Sequence, residues 1–121
     1  MARSHKQAEI DDFLPLTPVA FEILLSVAER ERHGYSIMQD IEVSTGGKMR
    51  LNPGTLYRAV GRLVDAGLLE EYTERPAPDL DDARRRYYGP TPIGLRVAKA
   101  EARRLEAQIA VARAKKLLHR T

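Results

Sequence analysis

Three dipeptides determine where helices begin in this chain, and they constrain its fold more than any other feature. Each places a residue with a hydrogen-bonding side chain directly before a proline: Thr17-Pro18, Asn52-Pro53 and Thr91-Pro92. Such a pair begins a helix, because the first side chain accepts an otherwise unpaired backbone N–H and the fixed φ of proline suits the first turn. Apolar residues at helical spacing follow each pair. The sequence therefore predicts a helix start at each of these sites.

The first of these helices is predicted to run from Pro18 to about Arg30, and a second helix follows the break at His33-Gly34-Tyr35. Thr45-Gly46-Gly47 ends the second helix, because glycine tolerates the left-handed conformation of a helix C-cap. The apolar residues at helical spacing on these two helices are Ala20, Ile23, Leu24, Val27, Ile37, Met38 and Ile41. The polar segment 1–15 is predicted to be either a short helix or a loose arm.

The third helix, which begins after Asn52-Pro53, has two faces of opposite character. Apolar side chains recur at i, i+4 and i+7 on one face, and a hydroxyl and two guanidinium groups recur at i, i+3 and i+7 on the other. The apolar stripe consists of Leu56, Val60 and Leu63, and the polar stripe of Thr55, Arg58 and Arg62. We expect the first face to pack on a core and the second to meet a polyanion.

The chain around this helix is basic and contains no acid. Between Val43 and Val64 four cations occur without a single carboxylate. These cations are Lys48, Arg50, Arg58 and Arg62. Although the net charge is only +3, a local basic surface determines where nucleic acid is attracted. We therefore expect the second and third helices to form a helix-turn-helix motif that contacts double-stranded DNA.

A two-stranded hairpin is predicted directly after the third helix. Residues 68–73 and 83–88 have the composition of strands, and residues 76–82 have that of a loop. Arg84 and Arg86 lie on one face of the returning strand, where they can follow the DNA backbone or enter the minor groove. A hairpin directly after a helix-turn-helix is a wing. At least one of its arginines (Arg84, Arg85 and Arg86) is expected to pair with an acid of the facing strand instead. Those acids are Glu70, Glu71 and Glu74.

A long last helix is predicted from Pro92 to about His119, because this segment is rich in strong helix formers and contains no further proline. Small and apolar residues follow a heptad seam along it: Leu95, Ala98, Ala102, Leu105, Ile109 and Ala112. At about 1.5 Å per residue the helix would be roughly 40 Å long, and one small domain has no core of that length. We expect a second copy of the chain to cover the seam in a homodimer.

Five short motifs in this order and spacing resemble the PadR family of winged-helix transcriptional regulators, in particular its shorter subgroup with a single C-terminal helix. The motifs are 16–18 (Leu-Thr-Pro), 33–38 (His-Gly-Tyr-Ser-Ile-Met), 53–58 (Pro-Gly-Thr-Leu-Tyr-Arg), 65–69 (Asp-Ala-Gly-Leu-Leu) and 85–94, which contains Arg-Arg-Tyr-Tyr and Thr-Pro-Ile-Gly. The resemblance implies a homodimer formed by the first and last helices, with two recognition helices that read a palindromic operator. It also implies repression, in some members relieved by a small-molecule effector.

The residues predicted to contact DNA lie at the start of the second helix, before and on the third helix, and in the wing. They are Tyr35, Ser36, Lys48, Asn52, Gly54, Thr55, Tyr57, Arg58, Arg62, Arg84 and Arg86. Some have a purely structural alternative. Ser36 and Thr55 can serve as local helix caps, Tyr57 can be half-buried core, and the arginines can form a solvated face.

Several functional classes are not expected. The absence of cysteine excludes disulfides and thiolate metal sites and fits a reducing cytoplasm. No acid–histidine cluster has metal-ligand spacing, and no nucleophile–base pair or phosphate loop occurs, so we expect no enzyme, metal or cofactor. No apolar run approaches the roughly 20 residues needed to span a membrane. The alternative function is a winged-helix module that binds another protein.

The predicted fold is mainly α (α+β): a winged helix-turn-helix with a two-stranded β wing and a long C-terminal dimerisation helix. The predicted organisation is an N-terminal arm or short helix at 1–15, a DNA-binding domain at 16–90 and a dimerisation helix at 91–121.

Overall fold

A computed structural model describes residues 9–72 and 86–119 of the chain. Within these ranges a helical turn at residues 9–11 is followed by four helices and three strands. They are α1 (Pro18–Val27), β1 (Arg32–His33), α2 (Gly34–Ser44), α3 (Pro53–Asp65), β2 (Leu69–Tyr72), β3 (Tyr87–Pro90) and α4 (Pro92–Ala114). Residues 1–8 of the predicted arm, the predicted loop at 76–82 and Arg84 lie outside the described residues.

The three predicted helix starts are confirmed, each with the expected capping contact. The backbone N–H of Ala20 donates to Thr17 Oγ1 at 3.1 Å, that of Thr55 donates to Asn52 Oδ1 at 2.8 Å, and that of Gly94 donates to Thr91 Oγ1 at 2.9 Å. The ends are shorter than predicted. Helix α1 ends at Val27 rather than near residue 30, and α4 ends at Ala114 rather than near residue 119.

The predicted two-stranded wing is part of a three-stranded antiparallel sheet in the order β1-β3-β2. The additional strand is short: Arg32 pairs with Tyr88, and His33 pairs with Tyr87. Sequence analysis missed it because two polar residues carry no alternating pattern. Among the described residues the returning strand is Tyr87–Pro90, which ends two residues later than the predicted 83–88. All four of its residues pair with β2, from Tyr87 opposite Tyr72 to Pro90 opposite Leu69.

The core lies where the apolar stripes of the helices meet the inner side of the sheet. The apolar stripe of α3 is buried as predicted, and Val97 attaches the start of α4 to the same core. The buried apolar residues are Ile10, Ile23, Leu24, Val27, Ile37, Ile41, Leu56, Val60, Leu63, Leu68, Leu69, Tyr88 and Val97. Because α3 is anchored along one whole side, its opposite side is presented to solvent at a defined angle.

A buried carboxylate joins α4 to the segment before α1. Glu101 is 2% exposed, and its Oε2 accepts the backbone N–H of Leu16 at 3.0 Å. Its Oε1 accepts a hydrogen bond from Arg104 Nε at 2.5 Å. The hydrogen bond from Arg104 lowers the pKa of Glu101, and the hydrogen bond from the Leu16 backbone lowers it further. Together these two effects outweigh burial, which raises the pKa. The charged carboxylate therefore holds α4 in a fixed orientation relative to the rest of the domain.

We expect Gly94→Ala to destabilise the fold, because α4 approaches the backbone of Leu68 at this residue. A Cβ on Gly94 would meet the Leu68 carbonyl oxygen and lie 2.9 Å from the carbonyl carbon. Forced overpacking of this kind costs about 1–3 kcal/mol of unfolding free energy. Gly61 of α3 is the matched control, since nothing lies within 4 Å of a Cβ there. Gly61→Ala should stabilise α3 by about 0.5–1 kcal/mol. Urea unfolding measures both, and equal stabilities for the two variants would contradict the close approach.

Candidate nucleic-acid interface

The outward face of α3 carries two arginines that have no acidic partner among the described residues. Arg58 and Arg62 are exposed, and within the described ranges neither forms an ion pair. The guanidinium of Arg58 lies over the first turn of the helix, with Nη1 3.5 Å from the position that a Cβ on Gly54 would occupy. Thr55 is half-buried, and its backbone N–H is taken by the Asn52 cap. The basic face predicted for α3 is therefore present and accessible.

The start of α2 lies against α3 through a tyrosine. A Cβ on Gly34 would lie 2.8 Å from Tyr57 Cζ and 2.9 Å from Cε1, so only glycine lets the Tyr57 ring approach α2 this closely. Tyr57 is nevertheless 48% exposed, and Tyr35 is 60% exposed. Both predicted tyrosines thus face solvent where the two helices of the helix-turn-helix meet.

Ser36 takes part in a local helix cap. The sequence analysis gave such a cap as the structural alternative to a DNA contact. Its backbone N–H donates to His33 Nδ1 at 3.2 Å, and its hydroxyl lies 3.0 Å from His33 Nε2. The ring of His33 also meets Tyr87 of β3 edge-on, with centroids 5.8 Å apart. His33 therefore connects the start of α2 to the sheet.

The connection between α2 and α3 adds two further cations to this surface. Lys48 and Arg50 are exposed, but Arg50 Nε lies 2.9 Å from Glu42 Oε1. Glu42 lies on α2, directly before the acid-free stretch identified in the sequence. Because α2 ends at Ser44 and the chain then turns, Arg50 comes back to the side chain of Glu42. Sequence analysis missed this contact, since no local pattern indicates where the turn directs Arg50.

One wing arginine pairs with an acid of the facing strand, as predicted. Arg86 Nε lies 3.1 Å from Glu71 Oε1. Tyr88, next to this pair, is buried, and burial raises its pKa; the charge of nearby Glu71 raises it further, and the charge of Arg86 opposes both effects. The ion pair holds Arg86 beside β3 and leaves its side chain largely exposed.

Two clefts lie beside some of the predicted contact residues. A cleft of about 320 Å³ separates α3 from the wing, and its lining includes Tyr57, Gly61, Glu71 and Arg86. A second cleft, of about 330 Å³, runs between α2 and the connection to α3, and its lining includes Tyr35 and Arg50. The structure therefore places Tyr57 of α3 near Arg86, and Tyr35 of α2 near Arg50.

The seam predicted on α4 is divided between the domain's own core and solvent. Ala98 packs partly against that core; Leu95, Leu105 and Ala112 are half-buried; and Ala102 and Ile109 are exposed. Glu101 is the last buried residue of α4. The final turns of the helix therefore extend beyond the core, with Ile109 40% exposed.

The part of the chain that the structure describes contains neither a metal-binding cluster nor a membrane-spanning helix. Among these residues, no group of three or more histidine, aspartate or glutamate side chains could hold a metal ion. No described helix combines the length and apolar character needed to cross a membrane.

A helix-turn-helix with a basic, solvent-facing second helix, followed by an antiparallel sheet beside it, defines a winged helix-turn-helix protein. Residues 23–100 match the model of the transcriptional regulator PadR-like family. The chain belongs to this family and is a PadR-like transcriptional regulator. The resemblance seen in the sequence motifs is confirmed.

The chain is also similar to solved structures and to a sequence relative. A transcriptional regulator from Clostridium thermocellum has a TM-score of 0.67 and 26% identity, covering 93% of this chain and 97% of its own. A PadR family transcription regulator from Clostridium difficile has a TM-score of 0.66 and 20% identity, covering 81% of this chain and 97% of its own, and supports the fold alone. An uncharacterized protein of Lysinibacillus sphaericus is 32% identical over 72 residues, or 60% of this chain. The match spans 63% of that relative, less than two thirds of its length.

Proposed function

We propose that this protein binds double-stranded DNA as a homodimer, recognises a palindromic operator and represses the genes that the operator controls. The observation that carries the proposal is the face of α3, where Arg58 and Arg62 are exposed without an acidic partner in the described ranges. Two unpaired guanidinium groups on a surface helix repel each other. A nucleic acid supplies the missing anions, since phosphates and guanine edges both accept hydrogen bonds from arginine.

The proposed contacts fall into two groups. Arg58 and Arg62, with Thr55, would face base edges in the major groove, because they lie on the outward face of an anchored helix. The other predicted residues would bind phosphates and set the register of the protein on the duplex. Among the residues that the structure describes, these are Tyr35, Ser36, Lys48, Asn52, Gly54, Tyr57 and Arg86.

The dimer would form through α4. Beyond Glu101 this helix has no buried residue, and its seam continues through Leu105 and Ile109 into the segment that the domain's own core does not reach. A second copy, related by a two-fold axis, would cover the seam with the same residues. Two linked recognition helices would then match the two halves of a palindrome. A small-molecule effector would relieve repression by changing the distance between them.

We expect binding that is selective for sequence and strongly dependent on salt. If about six phosphates are neutralised per dimer, the logarithm of the association constant should fall against the logarithm of salt concentration with a slope near −5. The probe is the fragment retained most tightly in a selection from genomic DNA, measured by fluorescence anisotropy.

The matched control for this measurement is Arg103→Ala, which removes one cation from the exposed outer side of α4. It should leave the slope unchanged, whereas Arg62→Ala should reduce it. A slope close to zero, or a selection that retains no fragment, would contradict DNA binding.

A further inference from the structure

Arg86 lies directly before β3 and is held by one acidic side chain of the facing strand. In the register of β2 and β3, Glu71 faces Tyr88. Arg86 stands two residues before Tyr88, so it lies on the same side of the strand and diagonally opposite Glu71. Arg86 Nε lies 3.1 Å from Glu71 Oε1, and the two side chains form an ion pair.

The ion pair with Glu71 leaves much of the Arg86 guanidinium available for a second contact. The side chain of Arg86 is 62% exposed, whereas that of Glu71 is 35% exposed. The contact with Glu71 uses Nε, the guanidinium nitrogen nearest the backbone. An arginine held in this way has already lost much of its rotamer freedom, and the exposed part of its guanidinium can still form a bidentate contact with a phosphate.

We propose that Glu71 is a positioning residue for DNA binding: it fixes Arg86 through Nε so that the guanidinium meets a backbone phosphate without first being ordered. This inference rests on the proposed function. It also explains why the acidic residue Glu71 lies on a surface that is expected to attract a polyanion. The charge of Glu71 opposes DNA binding, while its contact with Arg86 favours it, and the two effects can be separated by substitution.

Two substitutions at Glu71 separate contact from charge. Glu71→Gln and Glu71→Ala remove the same negative charge, but the glutamine carbonyl oxygen can still accept the Arg86 Nε–H. We expect Glu71→Gln to bind the selected fragment more tightly than the wild type does, and Glu71→Ala to bind it about threefold more weakly than Glu71→Gln, the usual range for an exposed ion pair. The difference should disappear when both substitutions are made together with Arg86→Ala.

A second measurement follows the arginine directly. The Nε–H proton of Arg86 should exchange slowly enough for detection by NMR in the wild type and in Glu71→Gln, and should exchange faster in Glu71→Ala. Urea unfolding shows whether each variant is folded. Stoichiometric titration gives the active fraction of each variant, which places the affinities on a common scale.

Each contrary result has a distinct meaning. Equal affinities for Glu71→Gln and Glu71→Ala would show that only charge matters and would overturn the positioning role. A difference that persists with Arg86→Ala, or an Nε–H signal equally labile in all three proteins, would overturn it as well. In these cases the wild type still binds DNA selectively. A wild type without selective binding would overturn the proposed function and this inference together.

Discussion

Replacing Leu105 and Ile109 together by glutamate is expected to convert the dimer into monomers and to weaken operator binding at least about 100-fold. Both residues lie on the seam of α4 beyond Glu101, the last buried residue of the helix. Four glutamates facing one another across a two-fold interface would be desolvated without partners, which the interface cannot compensate. Affinity falls with the dimer because a palindromic site rewards two recognition helices that are linked. Light scattering and anisotropy measure the two effects.

The matched control for the dimer prediction adds the same charges to the opposite side of the same helix. Ala110→Glu with Ala114→Glu has the same spacing of four residues and changes two exposed positions. It should leave both the dimer and operator affinity close to those of the wild type. A wild type that is monomeric at tens of micromolar and still binds its operator tightly would contradict the dimer mechanism.

Arg58→Ala is expected to weaken operator binding and to relax the preference at one operator position by about 1–3 kcal/mol. The physical reason is the bidentate contact that an arginine makes with a guanine edge, which no other base can accept in the same geometry. Arg58 is suited to this role because it is exposed and its guanidinium lies over the first turn of α3, near Gly54. Affinities for a set of operators with single base-pair changes measure the effect.

Arg86→Ala is the matched comparison for Arg58→Ala, since it removes the same charge from the wing. Contact with a phosphate carries no base information, so the loss of affinity should be nearly the same for every operator variant. If both variants lost the same affinity for every operator, base recognition would have been assigned to the wrong residue.

The functional surface was predictable from the sequence to the extent that local pattern decides it. The buried stripe of α3 and its exposed arginines followed from residue spacing alone. The wing pair was predicted only as a choice among three glutamates, because the partner of Arg86 depends on the register of β2 and β3. That register places Glu71 opposite Tyr88, which no property of either strand by itself determines. The roles proposed for these residues in DNA binding remain predictions.

The sequence by itself determined where the helices begin and which sides are buried, because a cap acts over three residues and a helical stripe over a few turns. Only the tertiary structure decided the contacts that join distant segments. These include the pairing of β1 with β3, the approach of Gly94 to Leu68, and the bond from Leu16 to Glu101, which lie 85 positions apart. Such contacts form when packing of the core brings separate segments together, and their geometry depends on every element between them.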